Sequence, residues 1–344
     1  MKRIITLLML LCIPAVAWAE TLVIHAVGDI MLAGSGEKTY RKLGYDYPFF
    51  ATRETLQQGD IVIGNLESPL ASSGVEFTDK KFRFKTEPKA AAALKSAGFT
   101  HLSLANNHIL DFGAEGLKET LAALDANSII YSGAGMNLAS ARTAGMIELK
   151  GVKVAFLSYS LTYPEEFFAG AEKAGTAPGY ASFFTADITE AKKEADCVIV
   201  SFHWGGEGED TPKPYQVAAA RKAIDAGADI VIGHHPHVLQ GIESYNNGVI
   251  FYSLGNFAFG STSSTAAVSM IARITFDGGI KEVEVIPLNV RNAQVRFQPR
   301  LLKGAAAEKA VKKVGQLSSG LNNSLAAVNG RYLVFSRPSE IALK

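Results

Sequence analysis

Apolar, β-branched runs alternate with stretches of helical spacing along most of this chain. The runs at 22–27, 61–63, 100–104, 129–131, 154–159, 198–202, 230–232 and 249–253 read as strands. Between them, 88–97 opens on Pro88 and closes at Gly98, as helices commonly begin and end. The segment 114–126 sets Leu117, Leu121 and Leu124 on one face, and 214–226 does the same with Val217, Ala220 and Ile224. This alternation predicts an α/β fold with a largely buried sheet. After Gly260 the texture changes. The stretches 268–276 and 283–290 alternate about Asp277-Gly278-Gly279, the pattern of a β-hairpin. A helix is expected over 305–325, followed by a short apolar run at 332–335.

The polar residues that stand out fall just after the predicted strands. Asp29 follows the first and Glu67 the second; Asn106, Asn107, His108 and Asp111 follow the third. His203 follows 198–202, the run Gly233-His234-His235-Pro236-His237 follows 230–232, and Asn256 follows the strand ending at Ser253. In open α/β sheets the carboxyl ends of the strands share one edge, where ligands bind. Carboxylates, an amide oxygen and imidazoles without thiolate suit Mn, Fe or Zn better than a structural zinc-thiolate centre. Read singly, Asp29 and Glu67 are ordinary turn formers, Asn106 and Asn107 are helix caps, and His234 is a spacer. Asp111 reads as a residue that orients a histidine, and His25 and His101 as structural. Their joint fall on one edge points to a metal or anion site.

Composition narrows the setting. Lys2 and Arg3, the apolar 4–16 and Ala17-Trp18-Ala19 have the form of a cleavable signal peptide over 1–19, so an exported protein of the periplasm or extracellular space is expected. Cys12 lies in that segment, leaving Cys197 without a disulfide partner. The chain carries 34 Lys+Arg against 33 Asp+Glu, which gives no global signature of nucleic-acid binding. One main domain is expected over 20–290, with 291–344 an extension packed on it.

Six stretches, in order, are similar to one family. They are Val27-Gly28-Asp29-Ile30-Met31, Gly64-Asn65-Leu66-Glu67-Ser68-Pro69-Leu70, and the segment from Leu104 to Gly113 around Asn106-Asn107-His108. His203-Trp204-Gly205, Gly233-His234-His235-Pro236-His237 and Tyr252-Ser253-Leu254-Gly255-Asn256-Phe257 complete the set. The chain thereby resembles the CapA family of bacterial capsule and poly-γ-glutamate synthesis proteins, related to calcineurin-like metallophosphoesterases. The resemblance implies a four-layer α/β/β/α sandwich and one or two divalent ions. It would give Asp29 and His237 to a first metal, Glu67 to a bridging position, and Asn107, His203 and His235 to a second. His108 would act as general acid or transition-state donor. The wider superfamily has Asp-x-His where this chain has Asp29-Ile30-Met31, which weakens the first metal.

The run 80–85 alternates basic and aromatic residues. As a strand it would present Lys81, Arg83 and Lys85 on one face, suited to phosphate or a polyanion. Lys81, Arg83, Asn106 and Asn256 are therefore the expected substrate contacts. The expected substrate is a phosphoester or an anionic polymer, with hydrolysis of an amide bond in the polymer a further option. A membrane synthase or exporter complex is the expected partner, and a non-catalytic binding role is the alternative to an enzyme.

Overall fold

The computed structural model describes residues 21–336. The expected signal segment, 1–19, lies outside them. Two sheets are stacked between layers of helix. The larger has ten strands, and its main path runs 323–328, 331–336, 280–289, 268–276, 22–31, 61–66, 101–103 and 130–132. The smaller has six strands, ordered 242–245, 248–251, 230–234, 197–203, 152–160 and 145–149.

Side-chain alternation explains the stacking. Leu22, Ile24, Ala26, Ile61 and Ile63 of the large sheet meet Val154, Phe156, Ile199, Ile230 and Ile232 of the small one in a single buried cluster. The intervening residues point outward. Val27, Ile30 and Val62 pack with Leu94, Leu117 and Leu124 of the helices Ala90–Ala97 and Gly113–Ala126. Val198, Val200 and Val231 pack with Ile188, Ala220 and Ile224 of the helices Ala181–Glu194 and Pro214–Asp225. The four-layer α/β/β/α order follows from these three clusters.

In the large sheet Leu22–Met31, Ile61–Leu66, His101–Ser103 and Ile130–Ser132 run parallel, so their carboxyl ends share an edge. In the small sheet Val152–Ser160, Cys197–His203, Ile230–His234 and Gly248–Phe251 do the same. The two edges meet at the site described below. Close backbone approach there requires glycine. A Cβ on Gly28 would stand 1.7 Å from the Gly255 carbonyl oxygen, and one on Gly233 would stand 2.0 Å from that of Tyr252.

Two expectations fail. The helix expected over 305–325 ends at Leu317, and Asn323–Val328 pairs with Arg331–Ser336 as a hairpin. Asn329 and Gly330 turn it at positive φ, 51° and 79°, as a two-residue turn between twisted strands requires. Residues 80–85 form no strand but an irregular segment that ends on the isolated bridge of Thr86 with Leu70.

Candidate metal centre

The strand Leu22–Met31 delivers Asp29 into the interior, fully buried. Its Oδ1 accepts from His234 Nδ1 at 3.0 Å and Asn65 Nδ2 at 2.9 Å. Its Oδ2 accepts from His237 Nδ1 at 3.1 Å and the His235 amide at 3.3 Å. Burial alone would raise this carboxyl. The hydrogen bonds from His234 and His237 hold it well below the usual carboxylate range.

Glu67, also fully buried, is its counterpart. Oε2 accepts from Asn65 Nδ2 at 3.1 Å, whereas Oε1 has no hydrogen-bond partner. Oε1 instead lies 3.6 Å from His203 Nε2 and 3.7 Å from His237 Nε2, between two imidazoles. Burial pushes this carboxyl well up, and the neighbouring Asp29 charge adds to the effect. His203, at the end of Cys197–His203, faces Asn107 Oδ1 at 2.9 Å through Nε2. His235 leaves Nδ1 buried and unpartnered, and its ring centre is 4.7 Å from that of His203. Burial drives His203 well down and, with the His237 charge, pushes His235 down to about 3, so both are neutral, and Nδ1 of His235 has no partner. Burial opposes charge on His237 too, but Glu67 and Asp29 pull it up to about 9.

These donors fit a divalent cation. Ligand atoms of Glu67, His203 and His235 lie within 4.8 Å of one another, as do those of Asp29, Glu67 and His237. Buried polar atoms normally find partners, and Glu67 Oε1 and His235 Nδ1 have none. All the donors are oxygen or nitrogen, a set that suits Mn, Fe or Zn. The chain could supply Glu67, Asn107, His203 and His235 to one ion. At the Asp29 end the donors are already engaged by His234, Asn65 and His237, so this side is the poorer host. Met31 does not enter this centre. It is buried against Ala33, Phe259 and Phe84.

His108 stands beside the cluster. Its Nδ1 lies 2.6 Å from Asp111 Oδ2, which assigns the proton to that nitrogen. Burial lowers the basicity of the ring, and Asp111 opposes the fall. A cleft of about 540 Å³ opens over the site, lined by His108, His237, Asn256, Glu207, Met31 and the rings of Phe82, Phe84 and Phe259. Asn256 Oδ1 sits 2.9 Å from His237 Nδ1.

Of the expected substrate contacts, Asn106 is corrected, and Lys81 and Arg83 are not among the residues that line the cleft. Asn106 is fully buried, with its amide donating to Asn65 Oδ1 and Leu66 O and its oxygen accepting from the His108 and Ile109 amides. It shapes the loop and has nothing left for a ligand. Arg83 pairs with Glu76 at 2.7 Å, and Lys81 lies outside over Phe82. Without a strand at 80–85, the aromatic members of that run face the cleft instead. His234 is not a spacer, since it holds Asp29.

Sequence reasoning missed Asn65, Lys80 and Glu207. Asn65 bridges both carboxylates, and its place two residues before Glu67 on one strand face was the available signal. Lys80 Nζ lies 2.6 Å from Asp111 Oδ1 and 3.2 Å from His108 Nδ1. Glu207 brings a carboxylate within 4.8 Å of ligand atoms of His235 and His237 from the loop after His203.

The comparisons with known proteins agree with this geometry. The model of "Bacterial capsule synthesis protein PGA_cap" matches residues 23–261. The capsule biosynthesis protein CapA of Bacillus anthracis is 37% identical over 287 residues, 79% of this chain and 68% of that one. The PGA biosynthesis protein CapA of Bacillus subtilis is 36% identical over 270 residues, 78% of this chain and 71% of that one. Among solved structures, a putative 5'-nucleotidase from Staphylococcus aureus in complex with alpha-ketoglutarate superposes with a TM-score of 0.52. It is 14% identical, and the match covers 88% of this chain but only 59% of that one. The fold is the mixed α/β fold of metallophosphoesterase structures. With the family model covering every strand that carries a candidate ligand, the chain belongs to the bacterial capsule synthesis protein PGA_cap (CapA) family.

Proposed function

We propose that this chain is an exported, metal-dependent phosphoesterase-like protein that acts in the synthesis or processing of an anionic capsule polymer. The observation that carries the reading is the unpartnered Glu67 Oε1, buried between the Nε2 atoms of His203 and His237. Both relatives named above bear capsule or PGA biosynthesis in their names, and the leader-like 1–19 supports export.

Bound divalent ions of Mn, Fe or Zn type supply Lewis acidity and charge neutralisation for phosphoryl transfer. Glu67, Asn107, His203 and His235 would hold one ion, and Asp29 and His237 a weaker second. Asn65 and His234 fix Asp29, and Asn65 also fixes Glu67. Asp111 holds His108 by Nδ1, which turns Nε2 towards the cleft. There the ring, in the doubly protonated form that Asp111 favours, is placed to give its Nε2 proton to a leaving oxygen or to hydrogen-bond it as charge develops. Phe82, Phe84 and Phe259 line the approach and limit water. A membrane synthase or exporter complex is the partner this reading calls for.

The test is metal analysis of the purified protein alongside a screen of phosphoesters and γ-glutamyl polymers. The His235→Ala, His237→Ala double variant is expected to lose both metal and turnover; full activity in it sinks the assignment. Met31, buried in an apolar cluster instead of offering a donor, favours a second reading, a non-catalytic polymer-binding subunit. Tight polymer binding without product release in any metal is the outcome that reading expects.

A further inference from the structure

Between Asn289 and Gln316 the chain holds seven basic side chains against Glu308 alone, although its overall charge is nearly balanced. Part of this excess lines a second cleft of about 670 Å³, between the helix Gly304–Leu317 and the ends of the 268–276 and 280–289 strands. Its charged lining is entirely positive: Arg291, Lys309, Lys312 and Lys313. Among the described residues none of these four forms an ion pair. Its floor is apolar, from Val268, Leu302 and small alanines.

This cleft adjoins the one over the metal centre. Thr265 and Ala266 line the metal-site cleft, and the next two residues, Ala267 and Val268, line the basic one. Arg291 lines the basic cleft, while its neighbour Asn292 donates to the carbonyls of Phe259 and Ser261 on the rim of the other.

We propose that the basic cleft is a binding track for a linear polycarboxylate, which it holds while another segment of the same molecule reaches the metal centre. Unpaired cations recognise carboxylates spaced along a chain, and an apolar floor accepts the methylene groups between them. A γ-glutamyl polymer has both features; naming it rests on the function proposed above, whereas the track rests on the cleft.

The test uses the full mature chain and a fluorescently labelled γ-glutamyl oligomer of about 20 residues, followed by anisotropy at low and moderate salt. Lys309→Glu, Lys312→Glu, Lys313→Glu is expected to weaken binding roughly tenfold or more, since several exposed charge contacts are reversed at once. The corresponding triple Gln variant should fall between it and the unaltered protein and controls for folding. Added salt should weaken binding by the unaltered protein more than by either variant. Equal affinity in all three proteins overturns the track, as does absence of oligomer binding or a preference for phosphatidylglycerol vesicles over the oligomer. Metal content, measured separately, reports on the metal centre, so a failed track and a failed metal centre give different results.

Discussion

His203 Nε2 and Asn107 Oδ1 face each other across 2.9 Å although 96 positions separate them in sequence. One ends a strand of the small sheet, and the other lies in the loop after a strand of the large sheet, so the contact ties the two edges together. A divalent ion held by these two groups and Glu67 would give the buried Glu67 Oε1 the partner it lacks. His203→Ala should therefore lower affinity for Mn²⁺ or Zn²⁺ by about 100-fold or more. Asn65→Ala, which only frees the carboxylates, should lower it about 10-fold. Isothermal titration on metal-stripped protein measures both. Unchanged affinity in His203→Ala removes that imidazole from the ligand set.

Met31 stands at the position where the Asp-x-His pattern implied by the sequence resemblance would have a histidine. It packs on Phe259 and Phe84 instead. The unaltered protein is expected to bind one ion tightly per chain, and Met31→His to approach two, at a stability loss of about 1–2 kcal/mol from the disturbed packing. Metal-to-protein ratio by elemental analysis decides it. A ratio of two in the unaltered protein shows that Met31 has not weakened the first site.

The ligand-bearing edge was legible because strand-end chemistry is local in sequence while its convergence follows from parallel pairing alone. Asp29, Glu67, Asn107, His203, His235 and His237 all reach the same cluster. What misled was orientation. Residues 81–85 alternate basic and aromatic without a break, but with no neighbouring strand to pair the run stays irregular and buries Lys80 against Asp111. Asn106 and Asn107 are indistinguishable by composition, and only the loop's internal hydrogen bonds send one inward and the other to His203. The C-terminal hairpin carried its signal, Asn329-Gly330, but the alanine- and lysine-rich stretch before it favoured an overlong helix.

Gly28 separates the core of the first strand from Asp29, and Gly255 lies against it. A Cβ at Gly28 would meet a backbone carbonyl at 1.7 Å, which no rotamer change relieves. Gly28→Ala should cost at least about 1–3 kcal/mol and displace Asp29, whose amide donates to Gly255 O at 3.0 Å. A lowered Tm together with lost metal affinity is expected. Gly315→Ala, in the helix Gly304–Leu317, where a Cβ meets nothing within 4 Å and φ is not positive, is the control for adding a methyl group at a glycine.

Two histidines remote from the metal centre make stability depend on pH. His25 and His101 are buried, and burial pushes each down to about 4. In the unfolded chain both titrate near 6.5. As pH falls below 6.5 the unfolded state takes up protons that the folded state refuses, so stability declines down to about pH 4 and this contribution is flat outside that window. The loss is on the order of 3 kcal/mol for each histidine across the whole window. Urea unfolding between pH 4 and 7 should show stability rising with pH, and His25→Gln, His101→Gln should flatten the slope. The difference between the two proteins isolates these residues from the metal-site histidines. An identical slope in both would mean that His25 and His101 accept protons without unfolding.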